Sequence, residues 1–84
     1  MFYVYILQSL KDGSYYIGQT NNVSNRLERH NSQRQLATRS KVPWELVYTE
    51  PFPTRSQAVR REREIKSWKS HQAIKGLLSS NNRA

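Results

Sequence analysis

Residues 2–8 read Phe-Tyr-Val-Tyr-Ile-Leu-Gln, aromatic and β-branched side chains with almost nothing polar among them. Such a run reads as a strand. Lys11-Asp12-Gly13 breaks it, and Asp-Gly is a strong hairpin signal. Residues 14–18 make the returning strand, with Tyr15, Tyr16 and Ile17 ahead of Gly18. The two tyrosine-bearing segments therefore lie side by side, antiparallel. Tyr3, Tyr5 and Leu7 share one face of the first strand; Tyr16 and Gly18 share one face of the second. A register that aligned Tyr5 with Tyr16 would send two phenols to one spot.

Beyond Gly18 the period changes. Thr20, Asn21 or Asn22 can cap a helix that runs to about His30, with Val23 and Leu27 as its apolar residues. Residues 31–43 are polar and basic without periodicity and read as a mobile loop. Residues 44–49 form a third strand, which Pro51 and Pro53 end. Thr54 or Ser56 caps the longest helix, to about Lys69. A short helix near 71–79 carries Ile74, Leu77 and Leu78, and residues 80–84 form a frayed tail. The expected fold is α+β: a small antiparallel sheet flanked by helices, in the order ββαβα(α), as a single domain over residues 1–79.

Helical phase places polar residues where apolar ones belong. From Val23 the inward stripe of the first helix runs through Arg26, Leu27 and His30. In the long helix, Ala58, Ile65 and Trp68 set the inward stripe and Glu62 falls inside it. Arg60, Arg63 and Lys66 are read onto other faces, free to meet phosphates. A carboxylate among apolar neighbours needs a cation, either an arginine or a metal. Each residue also has an ordinary structural account. Arg26 can snorkel to water, His30 can be a satisfied structural histidine, Glu62 can pair with Arg26, and the tyrosines can be strand aromatics. Both tryptophans, Trp44 and Trp68, are expected in the core.

Charge narrows the partners. The chain has 84 residues, 14 Lys plus Arg against 6 Asp plus Glu, and a net charge of +8. That favours an anionic partner. Arginine outnumbers lysine, and its planar fork suits phosphate. Nucleic acid leads, with an anionic membrane surface second. Without cysteine there is no disulfide or thiolate zinc site. The chain lacks a basic segment ahead of its first apolar run and any run of about 20 apolar residues, so neither an export signal nor a membrane span is expected. The expectation is a cytoplasmic protein with no membrane association and no obligate protein partner.

Taken together, these residues resemble a known pattern. Tyr3-Val4-Tyr5, then Tyr16-Ile17-Gly18, then Arg26 ten residues on, His30 one turn later and a helical Glu62 resemble the GIY-YIG endonuclease superfamily, most closely its small stand-alone bacterial proteins. The resemblance spans Tyr3 to about Lys69. It implies a three-stranded antiparallel sheet flanked by helices. It also implies phosphodiester hydrolysis, as in DNA repair or recombination, assisted by one Mg²⁺ or Mn²⁺ ion.

Carried over, Glu62 would be the metal ligand, and Tyr5 and Tyr16 would position and deprotonate the attacking water. Arg26 would neutralise charge on the phosphate, with His30 as a proton relay or phosphate contact. Gly18 would be a structural turn beside the site. Arg34, Arg39, Lys41, Arg60, Arg63 and Lys66 would grip the nucleic-acid backbone, selecting substrate by shape rather than by sequence. Two positions depart from the pattern: tyrosine replaces the leading glycine, and Ile74 stands where many members carry an asparagine. The competing readings are a non-catalytic nucleic-acid-binding module on the same fold and an interaction protein with an acidic partner.

Overall fold

The computed structural model describes residues 1–81. Strand β1 (Phe2–Ser9) and strand β2 (Tyr15–Thr20) form the expected hairpin. Gly13 takes a positive φ of 78° at its turn, a conformation glycine adopts without steric cost. Asp12 Oδ1 accepts from the Ser14 amide at 3.0 Å and from its hydroxyl at 2.7 Å. These bonds hold the Asp12 carboxyl down at about 2. Helix α1 (Val23–Asn31) follows, then strand β3 (Trp44–Phe52), helix α2 (Arg55–Ser67) and helix α3 (His71–Asn81). The caps are Asn22, whose side chain accepts from the Asn25 amide, and Thr54, whose side chain accepts from the Gln57 amide. Helix α3 passes the expected end at residue 79; the remainder of the expected tail, 82–84, lies outside the described residues.

The sheet order is β2-β1-β3, all antiparallel. As the central strand, β1 is covered on both faces, which explains its unbroken apolar run. Val4 and Ile6 point to one side and pack with Ile17, Tyr48, Ala58, Ile65 and Ile74 beneath α2 and α3. Tyr5 and Leu7 point to the other and pack with Trp44, Tyr16, Val23 and Leu27 beneath α1. Trp44 is buried as expected, whereas Trp68 is half-buried at the rim of the larger cluster.

Strand β3 departs from the sequence reading in two ways. It does not stop before Pro51 but continues to Phe52, because it is an edge strand and a missing amide on its outer side costs nothing. It also carries a bulge: Ile6 pairs with Tyr48, and Leu7 pairs with Leu46. The extra residue changes the parity of the strand. Trp44 and Tyr48, an even number of residues apart, thereby reach opposite faces of the sheet.

The basic segment after α1 is not the mobile loop expected. A 3₁₀ turn occupies Arg39–Lys41. The Asn31 side chain clamps the Trp44 backbone, accepting from its amide at 2.6 Å and donating to its carbonyl at 3.0 Å. The Trp44 indole donates to the Thr38 carbonyl at 2.9 Å, and Ser9 Oγ donates to the Lys41 carbonyl at 2.6 Å. Polar residues were read as a solvated linker, but their side chains take the place of ladder bonds. No helix among the described residues is long and apolar enough to cross a membrane.

Candidate active site

Tyr5 is the centre of the site. It leaves β1 on the α1 side and is 1% exposed. Opposite it in the hairpin stands Gly18, while Tyr16 pairs with Leu7. The aligned register considered above is therefore offset by two residues, and the phenols meet on the diagonal, ring centroids 6.3 Å apart. The offset explains the glycine. A Cβ at position 18 would lie 2.5 Å from the Tyr5 hydroxyl oxygen and 2.7 Å from Tyr5 Cζ. Gly18 sits inside β2, with no left-handed φ. The turn role expected of Gly18 is thus corrected: it is a clearance that lets the Tyr5 ring cross β2.

Helix α1 supplies the next two groups from one face, four residues apart. His30 is 1% exposed. Its Nε2 lies 3.1 Å from the Tyr5 hydroxyl and its Nδ1 lies 2.9 Å from Thr38 Oγ1. Its ring centroid is 4.7 Å from that of Tyr16. With both nitrogens engaged and the ring buried, His30 is not placed as a phosphate contact; this corrects that half of its expected role. Arg26, half-buried, keeps its charge beside both Tyr5 and His30.

These neighbours set the titration of the site. Burial pushes the Tyr5 hydroxyl up to about 12, Tyr16 adds to the rise, and Arg26 opposes it as charge and as donor. Desolvation outweighs the guanidinium. Burial pushes the His30 imidazolium down from its ordinary value, and the charges of Arg26 and Arg29 push the same way. His30 is accordingly neutral near pH 7.

Glu62 approaches from α2, which packs along β2 and β1. Its negative charge is the smallest contribution to the rise at Tyr5. Its side chain is 19% exposed and accepts from Lys66 Nζ at 2.6 Å. Lys66 had been read onto another face as a free phosphate contact. The i,i+4 spacing instead puts it on the face of Glu62 and pairs the two. The alternative partner, Arg26, makes no ion pair with Glu62.

The remaining expected contacts are dispersed. Arg34, Arg39, Arg60 and Arg63 are exposed. Lys41 turns toward the hairpin, 3.7 Å from Asp12. Arg60 lies about half a helical turn from Glu62, on the far side of α2. Arg63 lines a surface groove on α2 with Arg55, Ser56, Val59 and Arg60. Arg55 went unnoticed in the sequence. It donates to Gln19 of β2 at 3.3 Å and stacks 4.7 Å over the Phe2 ring. Thr38, Asn31 and Trp44 also went unnoticed as supports of His30. Only tertiary hydrogen bonds bring them together, and no periodicity marks them.

A family model described as the GIY-YIG catalytic domain matches residues 1–75. This chain belongs to the GIY-YIG family. Among its relatives, the UPF0213 protein of Staphylococcus haemolyticus is 43% identical over 74 residues, which is 87% of this chain and 89% of that one. The UPF0213 protein of Natronomonas pharaonis is 46% identical over 66 residues, 77% of this chain and 76% of that one. The solution NMR structure of the UPF0213 protein from Bacillus halodurans superposes with a TM-score of 0.62 at 39% identity, covering 99% of this chain and 88% of that one. The three-stranded α+β fold and the GIY-YIG resemblance both stand. Tyr3-Val4-Tyr5 and Tyr16-Ile17-Gly18 form the paired motif strands of the family in this chain. Ile74, the departure from the family pattern, is 7% exposed and belongs to the core under α3.

Proposed function

We propose that this protein is a divalent-metal-dependent endonuclease that hydrolyses phosphodiester bonds in nucleic acid. DNA selected by shape, in repair or recombination, is the favoured substrate. The observation that carries the reading is Tyr5 packed across Gly18, with the Tyr16 and His30 rings beside it and the charges of Arg26 and Glu62 both acting on its hydroxyl. The basic surface, net +8, suits a polyphosphate backbone.

The donor set fits a sparse Mg²⁺ or Mn²⁺ site. Among the described residues no three His, Cys, Asp or Glu side chains cluster, so one carboxylate, Glu62, would hold the ion with water completing the shell. Lys66 has a half-exposed side chain and can swing away. When bound, the ion supplies charge stabilisation at the phosphate and the leaving oxygen. Arg26 binds the phosphate and neutralises charge that grows there during attack. Tyr5 stays protonated near neutrality and serves as a hydrogen-bonding group. Tyr16, the less buried phenol, positions the attacking water.

One observation favours a second reading, a non-catalytic binding module: the Glu62 carboxylate is already neutralised by Lys66. The test incubates purified protein with labelled single-stranded, duplex, flap and branched DNA and with RNA, in Mg²⁺ or Mn²⁺. EDTA and Glu62→Ala samples run alongside. Cutting abolished by both controls supports the nuclease. Equal binding by wild type and Glu62→Ala with no cutting supports the binding module.

A further inference from the structure

The Tyr5 ring crosses β2 at Gly18. Its partner on the other side, Thr49 of β3, is exposed. Thr49 lines a surface groove of about 420 Å³ between β1, β3 and the start of α1, a volume in the range of small-ligand sites. The apolar lining is Tyr3, Val23 and Leu46. Tyr3 is half-buried and shares the Tyr5 face of β1, about 7 Å along the strand. Leu46 reaches that face only through the bulge. It pairs with Leu7, whereas Tyr48, two residues on, pairs with Ile6 on the opposite face. The polar lining is Asn21, Asn22, Ser24 and Thr49. Asn22 spends its Oδ1 on the Asn25 amide at 3.0 Å, which leaves its amide nitrogen to donate elsewhere. Asn21 is exposed and offers a donor and an acceptor side by side.

We propose that this groove takes one unstacked nucleobase of a nucleic-acid strand, with Tyr3 as its stacking platform and Asn21 and Asn22 at the polar edge of the base. This rests on the nucleic-acid part of the nuclease reading and not on cleavage. Charge selects the occupant. The chain carries +8, yet no charged side chain among the described residues lines this groove. A phosphate would find no cation here and is better served by the arginines lining the groove on α2. A neutral planar ligand finds an aromatic face, aliphatic walls and two amides. A nucleobase has the matching parts: a π-face that stacks and an edge that exchanges hydrogen bonds with an amide. Inside a duplex that face is covered, so the occupant comes from a single strand, a flap or an extruded nucleotide. Because Thr49 and Tyr5 are register partners, the bound base belongs to a nucleotide close to the phosphate at the Tyr5 cluster. The groove also gives a use to Tyr3, which stands where the family pattern has glycine; a glycine would leave the groove without its ring.

The test is a titration in EDTA, so that nothing is cut. One probe is a labelled single strand of about ten nucleotides; the other is an abasic strand with the same number of phosphates. Anisotropy reads affinity, and ¹H–¹⁵N and methyl NMR spectra read the site. The base-bearing strand should shift the side-chain amides of Asn21 and Asn22, the Tyr3 and Val23 backbone amides and the Leu46 methyls; the abasic strand should not. Tyr3→Leu keeps apolar bulk in the strand and removes the stacking face. It should weaken the base-bearing strand on the order of 10-fold and leave the abasic strand and the salt dependence unchanged. Tyr3→Phe should bind like wild type. Asn21→Ala, at an exposed position, should lose several-fold on the base-bearing strand alone, and it decides the matter if Tyr3→Leu fails to fold. Equal affinity and equal shifts for the two probes overturn the proposal, as does an equal loss on both in Tyr3→Leu. Binding of neither probe overturns it together with the nucleic-acid reading. Base-selective shifts at Tyr3 in a protein that cuts nothing when Mg²⁺ or Mn²⁺ is restored refute the nuclease reading and leave this one standing.

Discussion

Replacing Gly18 with alanine puts a methyl group where the Tyr5 ring already stands. The new carbon would sit 2.5 Å from the Tyr5 hydroxyl oxygen, 2.7 Å from Cζ and 3.0 Å from Cε1. Tyr5 has little room to yield: it is 1% exposed and its hydroxyl is engaged with His30. Overpacking of this kind costs about 1–3 kcal/mol, and a lost Tyr5–His30 bond adds about 1 kcal/mol. Alanine restricts the unfolded chain and returns about 0.4–1 kcal/mol. The net loss is about 1–3 kcal/mol, against a total stability of roughly 4–12 kcal/mol for a domain of this size. Melting should fall by roughly 5–20 °C, with the fold retained. Urea unfolding followed by circular dichroism measures the change, with an unchanged m-value. In a Tyr5→Leu background the same substitution should cost less than about 0.5 kcal/mol, since the obstructing ring is gone. Equal destabilisation in both backgrounds, or none in the wild type, would refute the clearance argument.

Three further outcomes follow from the same geometry. His30 binds its proton less readily folded than unfolded, so the unfolded state gains the proton first as pH falls. Stability should be full above the unfolded value near 6.5 and decline as pH falls from there through the lower folded value. Urea midpoints between pH 8 and 5 check this, and a His30→Gln variant should flatten the slope. Asn31→Ala removes the clamp on the Trp44 amide and carbonyl, both partly buried. It should cost about 1–3 kcal/mol, read as a lower urea midpoint; an unchanged midpoint would mean the clamp contributes nothing. Lys66→Gln frees Glu62 from its ion pair, so Mn²⁺ affinity measured by calorimetry should rise several-fold. No change would mean that Lys66 does not compete with the ion.

Much of the site was visible in the sequence because it obeys short-range periodicity. The hairpin follows from Asp12-Gly13 between two apolar runs. The inward placement of Arg26 and His30 follows from Val23 and Leu27 by helical phase alone. The same phase put Glu62 beside Ala58 and Ile65, where it stands half-buried. It would also have paired Glu62 with Lys66 had the i,i+4 spacing been applied to that lysine. What failed was reading polarity as mobility. Residues 31–43 look like a solvated linker in composition, yet Asn31, Thr38 and Lys41 are held by bonds to partners on other elements.

The sequence by itself determined the elements, their order and the basic surface. These depend on neighbours within about one helical turn or one hairpin, where spacing fixes direction. Tertiary structure alone decided three things. The hairpin register set Tyr5 against Gly18 rather than Tyr16, so the glycine became space for a ring. The bulge in β3 sent Trp44 and Tyr48 to opposite faces and so delivered an indole to Thr38. Burial raised Tyr5 and lowered His30, because desolvation depends on everything packed around a group and not on its neighbours in the chain.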